Sequence, residues 1–217
     1  MRKLLLPLVL LFTSLTCFGF TITPEFIKEL RETAEMGDAE CQWLLGFYYH
    51  YGEVPLVPQD YTEALKWYSK AAKQGDAAAQ CGIGKLYYFG NGVPKDYSES
   101  VKWYRKAAEQ GNVDGEYSLG LAYDNAEGVF ENNTEAAKWY RKAAEQGHVD
   151  AQNNLGLLYA LGDGVPVDSC LAYMWFNLAA AQGEESAKKG REMVSENMTK
   201  EQIAEAQKLT RQWLAKH

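Results

Sequence analysis

Four tryptophans at a constant spacing of 36 residues constrain the fold of this chain more than any other feature. They are Trp67, Trp103, Trp139 and Trp175, and each begins a similar phrase, which reads Trp-Tyr-Arg-Lys-Ala-Ala at the second and third. A repeat of this length is typical of stacked helical units that contact only their neighbours. Such folds present long surfaces, so the pattern favours a binding function over catalysis.

A second motif precedes each tryptophan and predicts a helix–loop–helix unit. It reads Leu-Gly-x-x-Tyr, or Ile-Gly-x-x-Tyr in the second unit, and its glycines are Gly46, Gly84, Gly120 and Gly156. A glycine inside a helix costs roughly 1 kcal/mol relative to alanine. Its recurrence therefore predicts the close approach of a partner helix, and we expect the four tryptophans to lie in the core between repeats.

Turn and capping residues mark the predicted helix ends. The segments Gly90-Asn-Gly92-Val-Pro94 and Gly162-Asp-Gly164-Val-Pro166 are typical of loops that end a helix. A helix start is predicted by the capping boxes Asp60-x-x-Glu63, Asp96-x-x-Glu99, Asn132-x-x-Glu135 and Thr199-x-x-Gln202. In the third repeat Val129-Phe130 replaces Val-Pro, which predicts a looser loop.

The predicted fold is an all-α, right-handed α-solenoid of about 11 helices over residues 22–217. Its repeats are predicted at 37–74, 75–110, 111–146 and 147–182. Residues 24–36 are predicted to form a lone second helix that covers the first repeat. Residues 184–216 are predicted to form the C-terminal cap of the same single domain.

The first 19 residues have the layout of a secretory signal peptide. Arg2 and Lys3 precede an apolar run from Leu4 to Phe12, and Cys17-Phe18-Gly19 offers a small-x-small cleavage site. A retained anchor and lipid attachment at Cys17 are the alternatives, but the run is shorter than the ~18 residues that span a bilayer. We expect an exported protein, periplasmic or secreted, without stable membrane insertion after cleavage.

Net charge narrows the classes of partner. Cleavage after residue 19 removes two cations and no acid, which changes the net charge from -7 to -9. A chain this acidic is repelled by phosphate backbones and anionic lipid surfaces. Nucleic acid is therefore not an expected partner.

Cysteine and histidine placement argues against a metal or cofactor site. Cys41, Cys81 and Cys170 are too few for a disulfide framework. Cys41 and Cys81 lie in the first helices of neighbouring repeats, so they either form a disulfide or pack, like Cys170, as small apolar residues. His50 and the other histidines, at 148 and 217, lack metal-ligand spacing. No metal, cofactor or enzymatic activity is predicted.

Taken in register, these motifs closely resemble the Sel1-like repeat, a relative of the tetratricopeptide repeat. The matching phrases are Ala-Gln-x-x-Leu-Gly-x-x-Tyr, Gly-x-Gly-Val-Pro-x-Asp and Ala-x-x-Trp-Tyr-x-Lys-Ala-Ala-x-Gln-Gly, over about residues 37–194. The resemblance, which includes the usual ending of small exported bacterial members, implies an adaptor or scaffold. A cysteine-rich subgroup is associated with β-lactam binding, but its regular cysteine pair in each repeat is missing here.

The same resemblance places a ligand along the concave inner face of the first helices, where we expect a protein or peptide partner. The predicted residues are Trp43, Phe47, His50, Tyr51, Cys81, Lys85, Tyr88, Phe89, Tyr117, Leu121, Asp124, Asn125, Asn153, Leu157, Ala160 and Leu161. Aromatic residues dominate its first half and are typical peptide anchors. The alternative is that they pack against each other or against the N-terminal helix. Two other functions stay open: an envelope hydrolase or β-lactam-binding protein, and a secreted effector that acts on a host.

Overall fold

The computed structural model describes residues 22–52 and 55–217, so the predicted signal peptide lies outside the described residues. Eleven helices make up this part of the chain. They are α1 (Pro24–Glu35), α2 (Ala39–Tyr51), α3 (Tyr61–Lys73), α4 (Ala77–Phe89), α5 (Tyr97–Glu109), α6 (Val113–Asp124), α7 (Asn133–Glu145), α8 (Val149–Leu161), α9 (Ser169–Ala181), α10 (Glu185–Ser195) and α11 (Lys200–Leu214). The predicted all-α class is confirmed. None of these helices combines the length and the apolar character that crossing a bilayer requires.

The chain divides into two compact units, one that ends at Pro94 and one that spans Lys95–His217. Within each unit, helices that follow one another in the chain contact each other, except at the C-terminus, where α11 packs on α9 rather than on α10. The first unit, α1 to α4, has a core that includes Leu30, Leu45 and Trp67. The core of the second unit, α5 to α11, is a larger cluster that includes Tyr140 and Phe176.

Polar caps begin the second helix of each repeat at the predicted positions. Asp96 accepts a hydrogen bond from the backbone N–H of Glu99 at 2.9 Å, and the equivalent caps are Asp60, Asn132 and Asp168. The predicted capping box also requires the glutamate side chain to accept a hydrogen bond from the backbone N–H of the cap residue. Instead, the glutamate forms an ion pair with the lysine three residues later, such as Glu99 with Lys102 at 2.7 Å. A complete capping box occurs where α11 begins, between Thr199 and Gln202.

Three of the recurring glycines, Gly46, Gly120 and Gly156, accommodate an aromatic ring rather than the backbone of a partner helix. A Cβ built on Gly46 would lie 2.6 Å from the ring of Tyr68, and one built on Gly120 would lie 2.6 Å from Tyr140. The ring belongs in each case to the residue that follows the tryptophan of the same repeat. Gly82, in the next repeat, was not part of the predicted motif, and a Cβ built on it would lie 2.8 Å from the same Tyr68 ring.

The second glycine of each Gly-x-Gly loop lies against the start of the preceding repeat's second helix. A Cβ on Gly92 would come within 2.7 Å of the Tyr61 Cβ. A Cβ on Gly128 would overlap the Tyr97 carbonyl group. The second glycine is therefore required by packing between repeats, as well as by its own positive φ.

The loop of the third repeat is not the looser loop that its missing proline predicts. Ala126 takes the place of the first loop glycine and adopts a left-handed conformation, with φ 58°. The next amide, Glu127 N–H, donates to the Ala122 carbonyl at 2.9 Å, as Asn91 N–H does to Leu86 at the same distance. These turn hydrogen bonds define the same helix end in both repeats.

The helix α1 occupies the place of a second helix, as its sequence phase predicts. The Arg31 guanidinium donates to the Tyr49 hydroxyl at 2.7 Å. Arg105 makes the same contact with Tyr123 at 2.8 Å in the second unit. Because a recurring contact links α1 to α2, the helix extends the repeat pattern towards the N-terminus.

Candidate partner-binding surface

Three aromatic side chains form a row along α2, one helical turn apart. The ring centroids of Trp43 and Phe47 lie 6.0 Å apart and those of Phe47 and Tyr51 lie 4.6 Å apart, with interplanar angles of 46° and 47°. Phe47 is 38% exposed, Tyr51 is 53% exposed and Trp43 is half-buried. The rings therefore pack against each other and still present accessible faces.

An aromatic pair, half-buried Tyr88 and exposed Phe89, lies on α4, which contacts α2 within the first unit. Tyr88 and Phe89 meet edge to face, with ring centroids 4.9 Å apart, and Phe89 is 63% exposed. Lys85, one turn earlier, is half-buried. We call the five aromatic residues Trp43, Phe47, Tyr51, Tyr88 and Phe89 the aromatic surface.

His50 differs from the sequence prediction, because its side chain is buried and only 6% exposed. Its ring stacks on Tyr51 with a centroid distance of 4.5 Å, and it forms T-shaped pairs with Tyr61 at 5.6 Å and Tyr68 at 6.0 Å. The side chain of His50 points towards α3, so it packs behind the aromatic row and cannot contact a partner directly. Burial, and secondly the charge of Lys85, lower the pKa of His50.

The predicted face of the third repeat is largely engaged in contacts of the repeat itself. Tyr117 stacks on His148 with a centroid distance of 4.3 Å, and Asp124 accepts a hydrogen bond from the Tyr140 hydroxyl at 3.0 Å. Burial, followed by the charges of Asp150 and Asp124, raises the pKa of Tyr117 to about 12. This hydroxyl stays protonated at neutral pH.

The remaining predicted residues of the second unit present aliphatic side chains. Leu121 is half-buried against the core and Asn153 is half-buried beside Asn154. Leu157 and Leu161 are 47% and 60% exposed. The second unit therefore lacks, at these positions, the exposed rings of the first.

Of the four repeat tryptophans, three are buried. Trp67, Trp139 and Trp175 are 3%, 5% and 5% exposed, whereas Trp103 is half-buried. A lysine of the same helix covers the indole ring in three repeats, as Lys70 does over Trp67 at 3.8 Å. Their rings are thus occupied by contacts within the repeat.

The thiols do not form the disulfide that one alternative predicted. Cys41, Cys81 and Cys170 are all free, and only the first two are buried. Burial, with a further contribution from Asp38, raises the pKa of Cys41 to about 12, so this thiol is not a nucleophile at neutral pH. Residues 22–52 and 55–217 contain no group of His, Cys, Asp and Glu side chains that could hold a metal ion.

The loop of the third repeat carries one exposed ring that the motif analysis did not select. Phe130 is 95% exposed and borders a shallow depression of about 930 Å³, which Tyr123 and Val129 also line. The signal was visible in the sequence, since Phe130 replaces the proline of the neighbouring loops.

Paired helices, recurring caps and ring-holding glycines define a helical-repeat protein. The Sel1 repeat model matches residues 39–76, 77–112, 113–148 and 149–184. The chain belongs to the Sel1 repeat family. Each matched repeat starts two residues later than the predicted repeat, because it begins with the first helix rather than with the preceding turn. Proteins of this family are generally non-catalytic scaffolds for protein–protein interaction.

Solved structures of similar proteins come from several bacteria. A protective antigen of uropathogenic Escherichia coli is 32% identical with a TM-score of 0.84, over 96% of this chain and 44% of the antigen. A Sel1 repeat protein from Oxalobacter formigenes is 32% identical with a TM-score of 0.72, over 88% of this chain and 75% of that one. The immunity protein PA5088 of Pseudomonas aeruginosa shares the fold at 18% identity and a TM-score of 0.54, over 92% and 77% of the two chains. The chain thus spans less than half of the E. coli antigen. No curated protein matches the chain.

Proposed function

We propose that this protein is an exported scaffold that binds an extended segment of a partner protein on its aromatic surface. One observation carries the proposal: Phe47, Tyr51 and Phe89 are 38%, 53% and 63% exposed on two helices that contact each other. Clustered exposed rings mark interaction sites, because aromatic anchors bury much apolar area at little conformational cost. The Sel1 repeat family supports a scaffold role in general.

The surface suits a peptide segment better than a small ligand. Its rings are distributed along two helices, whereas small-molecule sites are concave and enclose most of the ligand. The successive rings of α2 are tilted against each other by 46° and 47°, so their accessible faces are spaced along the helix. Contacts of these faces with apolar side chains of an extended segment would give affinity, and the order of those side chains would give specificity.

The test begins with cross-linking in the native compartment and mass spectrometry to identify the partner. The affinity of the purified partner is then measured for Phe47→Ala, Tyr88→Ala and the control Met36→Ala, which removes an exposed apolar side chain (79% exposed) from the turn before α2. We expect about a tenfold loss for each aromatic variant, the size typical of an interface anchor. Unchanged affinity in both variants, with folding intact by circular dichroism, would refute the proposal.

Export is the part of the proposal that rests on the sequence of residues 1–19. A basic start, an apolar run and a small-x-small site support it. Mass spectrometry of the protein from its native host should give a mature N-terminus at Phe20. A mature protein that still contains Leu4 to Phe12 would contradict cleavage.

Exposure to a host is a second candidate role, favoured by the likeness to the protective antigen of uropathogenic E. coli. Fractionation of native cells separates the two roles, because a periplasmic scaffold stays with the cell and an effector enters the medium. Exclusive recovery from the periplasm would exclude the effector role.

A further inference from the structure

The buried imidazole of His50 lies directly beneath the exposed part of the aromatic row. Tyr51 covers one face of the ring at an interplanar angle of only 11°, and Tyr61 and Tyr68 of α3 form T-shaped pairs with it. The Nδ1 atom is buried and has no hydrogen-bond partner among the described residues. An unsatisfied nitrogen in an aromatic cage is tolerated when the ring is neutral and becomes costly when the ring carries a charge.

Among residues 22–52 and 55–217, the groups that face the ring do not offset a positive charge. From α4 the facing charged group is Lys85, which carries the same sign, and from α2 and α3 the facing titratable groups are the phenols of Tyr51, Tyr61 and Tyr68. Burial and Lys85 together lower the pKa of His50 below its ordinary 6.5. The folded state therefore holds this imidazole neutral.

The equivalent positions in the other repeats show what is particular to His50. Position 50 corresponds to Tyr88, Asp124 and Ala160. In the third repeat Asp124 accepts a hydrogen bond from the Tyr140 hydroxyl. In the fourth repeat the equivalent of Tyr140 is Phe176, which has no hydroxyl, and the apolar Ala160 takes the place of Asp124. Only the first repeat places at this position a group that titrates near neutral pH.

Hydrogen bonds at and beside His50 tie the last turn of α2 to the segment that precedes α3. The His50 carbonyl accepts a hydrogen bond from the Gln59 side chain at 2.9 Å, and the Tyr49 carbonyl accepts one from the Asp60 amide at 2.8 Å. The Gly52 amide closes the helix on the Tyr48 carbonyl at 2.8 Å. The terminal turn of a helix opens more readily than its interior, so this turn can open locally while the rest of the unit stays folded.

We propose that His50 is an acid-sensitive latch, whose protonation opens the last turn of α2 and withdraws Tyr51 from the aromatic surface. The role of the latch in releasing a partner rests on the proposed function, whereas the opening itself requires no partner. Because the pKa of His50 is lowered in the closed turn, the closed turn has its full stability at pH values above the ordinary histidine pKa. This stability is lost as the pH falls below about 6.5, towards the lowered pKa.

Hydrogen exchange of the free protein tests the latch. The amides of Tyr48 to Tyr51 are followed at pH 7.5 and 5.5, after correction for intrinsic exchange, in the native protein, His50→Gln and the control His217→Gln. An open-state pKa of about 6.5 and a lower closed-state pKa predict that opening rises at pH 5.5, by at most about tenfold. The rise should persist in His217→Gln, which removes an exposed histidine of the second unit, and disappear in His50→Gln. Equal opening at both pH values in the native protein, or a full rise in His50→Gln, would overturn the latch.

A titration of the native protein keeps the test independent of how well His50→Gln folds. The His50 ring, followed by NMR, should titrate below 6.5 together with the signals of Tyr51. A His50 pKa of 6.5 or higher would overturn the proposal.

Binding at the two pH values separates the latch from the proposed function. Weaker partner binding at pH 5.5, with a pH-independent His50→Gln variant, supports the latch. If Phe47→Ala abolishes binding but pH has no effect on it, the latch fails and the proposed function stands. If Phe47→Ala leaves binding unchanged at pH 7.5, the proposed function fails, while the exchange result still decides whether the turn opens.

Discussion

Single buried polar residues join the helices of each repeat. In the fourth repeat the Gln152 amide donates to the Ala144 carbonyl at 3.1 Å and accepts from Gln182 at 2.9 Å. Glu116 takes the same place in the third repeat, where its carboxylate accepts from Gln146 at 2.8 Å. An ionised carboxylate has no N–H to donate, so the third repeat makes only the accepting half of this pair of bonds.

Glu116→Gln is therefore expected to stabilise the protein at neutral pH. Burial raises the pKa of Glu116 in the folded protein. The free energy of unfolding therefore falls as the pH rises from the ordinary carboxyl pKa to the raised pKa, because the folded state resists losing this proton. The amide removes this loss and can donate to the Ala108 carbonyl, for a gain of about 1 kcal/mol at pH 7.5. Thermal melting at pH 7.5 and pH 4 is the measurement. A gain as large at pH 4 as at pH 7.5 would contradict the charge-based explanation.

Ala126 is a second residue at which the third repeat departs from the pattern of the other repeats. Its φ of 58° is left-handed, a conformation that costs an L-residue about 1 kcal/mol or more. Glycine occupies the equivalent positions 90 and 162. Ala126→Gly should therefore raise the free energy of unfolding by up to about 1 kcal/mol in urea denaturation, less the entropy that glycine adds to the unfolded chain. A loss of stability would contradict this expectation and show that the packing of the alanine methyl group stabilises the loop by more than its left-handed conformation costs.

At the scale of helices, α9 differs from the second helices before it. Glu135, Lys138 and Lys142 of α7 are replaced in α9 by apolar side chains, of which Met174 and Leu178 are buried. The helix α11 packs on α9 there, and Trp213 meets Trp175 with ring centroids 6.3 Å apart. The loss of the charged face is thus explained by the terminal helix that covers it.

Restoring one charge to that face should release the terminal helix. Leu178→Lys places an ammonium group at a position that is 2% exposed, which costs several kcal/mol unless the covering helix moves. We expect α11 to become sensitive to limited proteolysis while α5 to α8 stay protected. Leu161→Lys, at a position 60% exposed, is the control and should leave α11 resistant. Equal resistance of both variants would show that α11 is held by other contacts.

The ends of the helices were predictable from the sequence, because nearby residues determine them, whereas the contacts between helices were not. The caps Asp60, Asp96 and Asn132 act within one turn of the chain, so a short motif identifies them. The ring over Gly120 belongs to a residue 20 positions later, and no motif names it. His50 was misplaced on the partner-facing surface for the same reason, since a small rotation about the α2 axis decides whether a side chain faces α3 or solvent.

At the scale of the whole molecule, the repeated residues account for the fold and the unrepeated ones for the proposed site. The aromatic surface belongs wholly to the first unit. At the positions of Phe47 and Tyr51 the fourth repeat has Leu157 and Leu161. Stacking of the repeats does not require these rings, because the fourth repeat forms without them.

Site-specific photo-cross-linking in native cells tests the central claim most directly. A benzophenone amino acid replaces Phe47, Tyr51 or Phe89 in turn, and Met36 as the control at the turn before α2. We predict that the three surface positions capture the same partner protein, that Met36 captures none of it, and that Trp43→Ala reduces the capture at position 47. Capture of that partner equally from all four positions, or from Met36 alone, would contradict the assignment of this surface as the binding site.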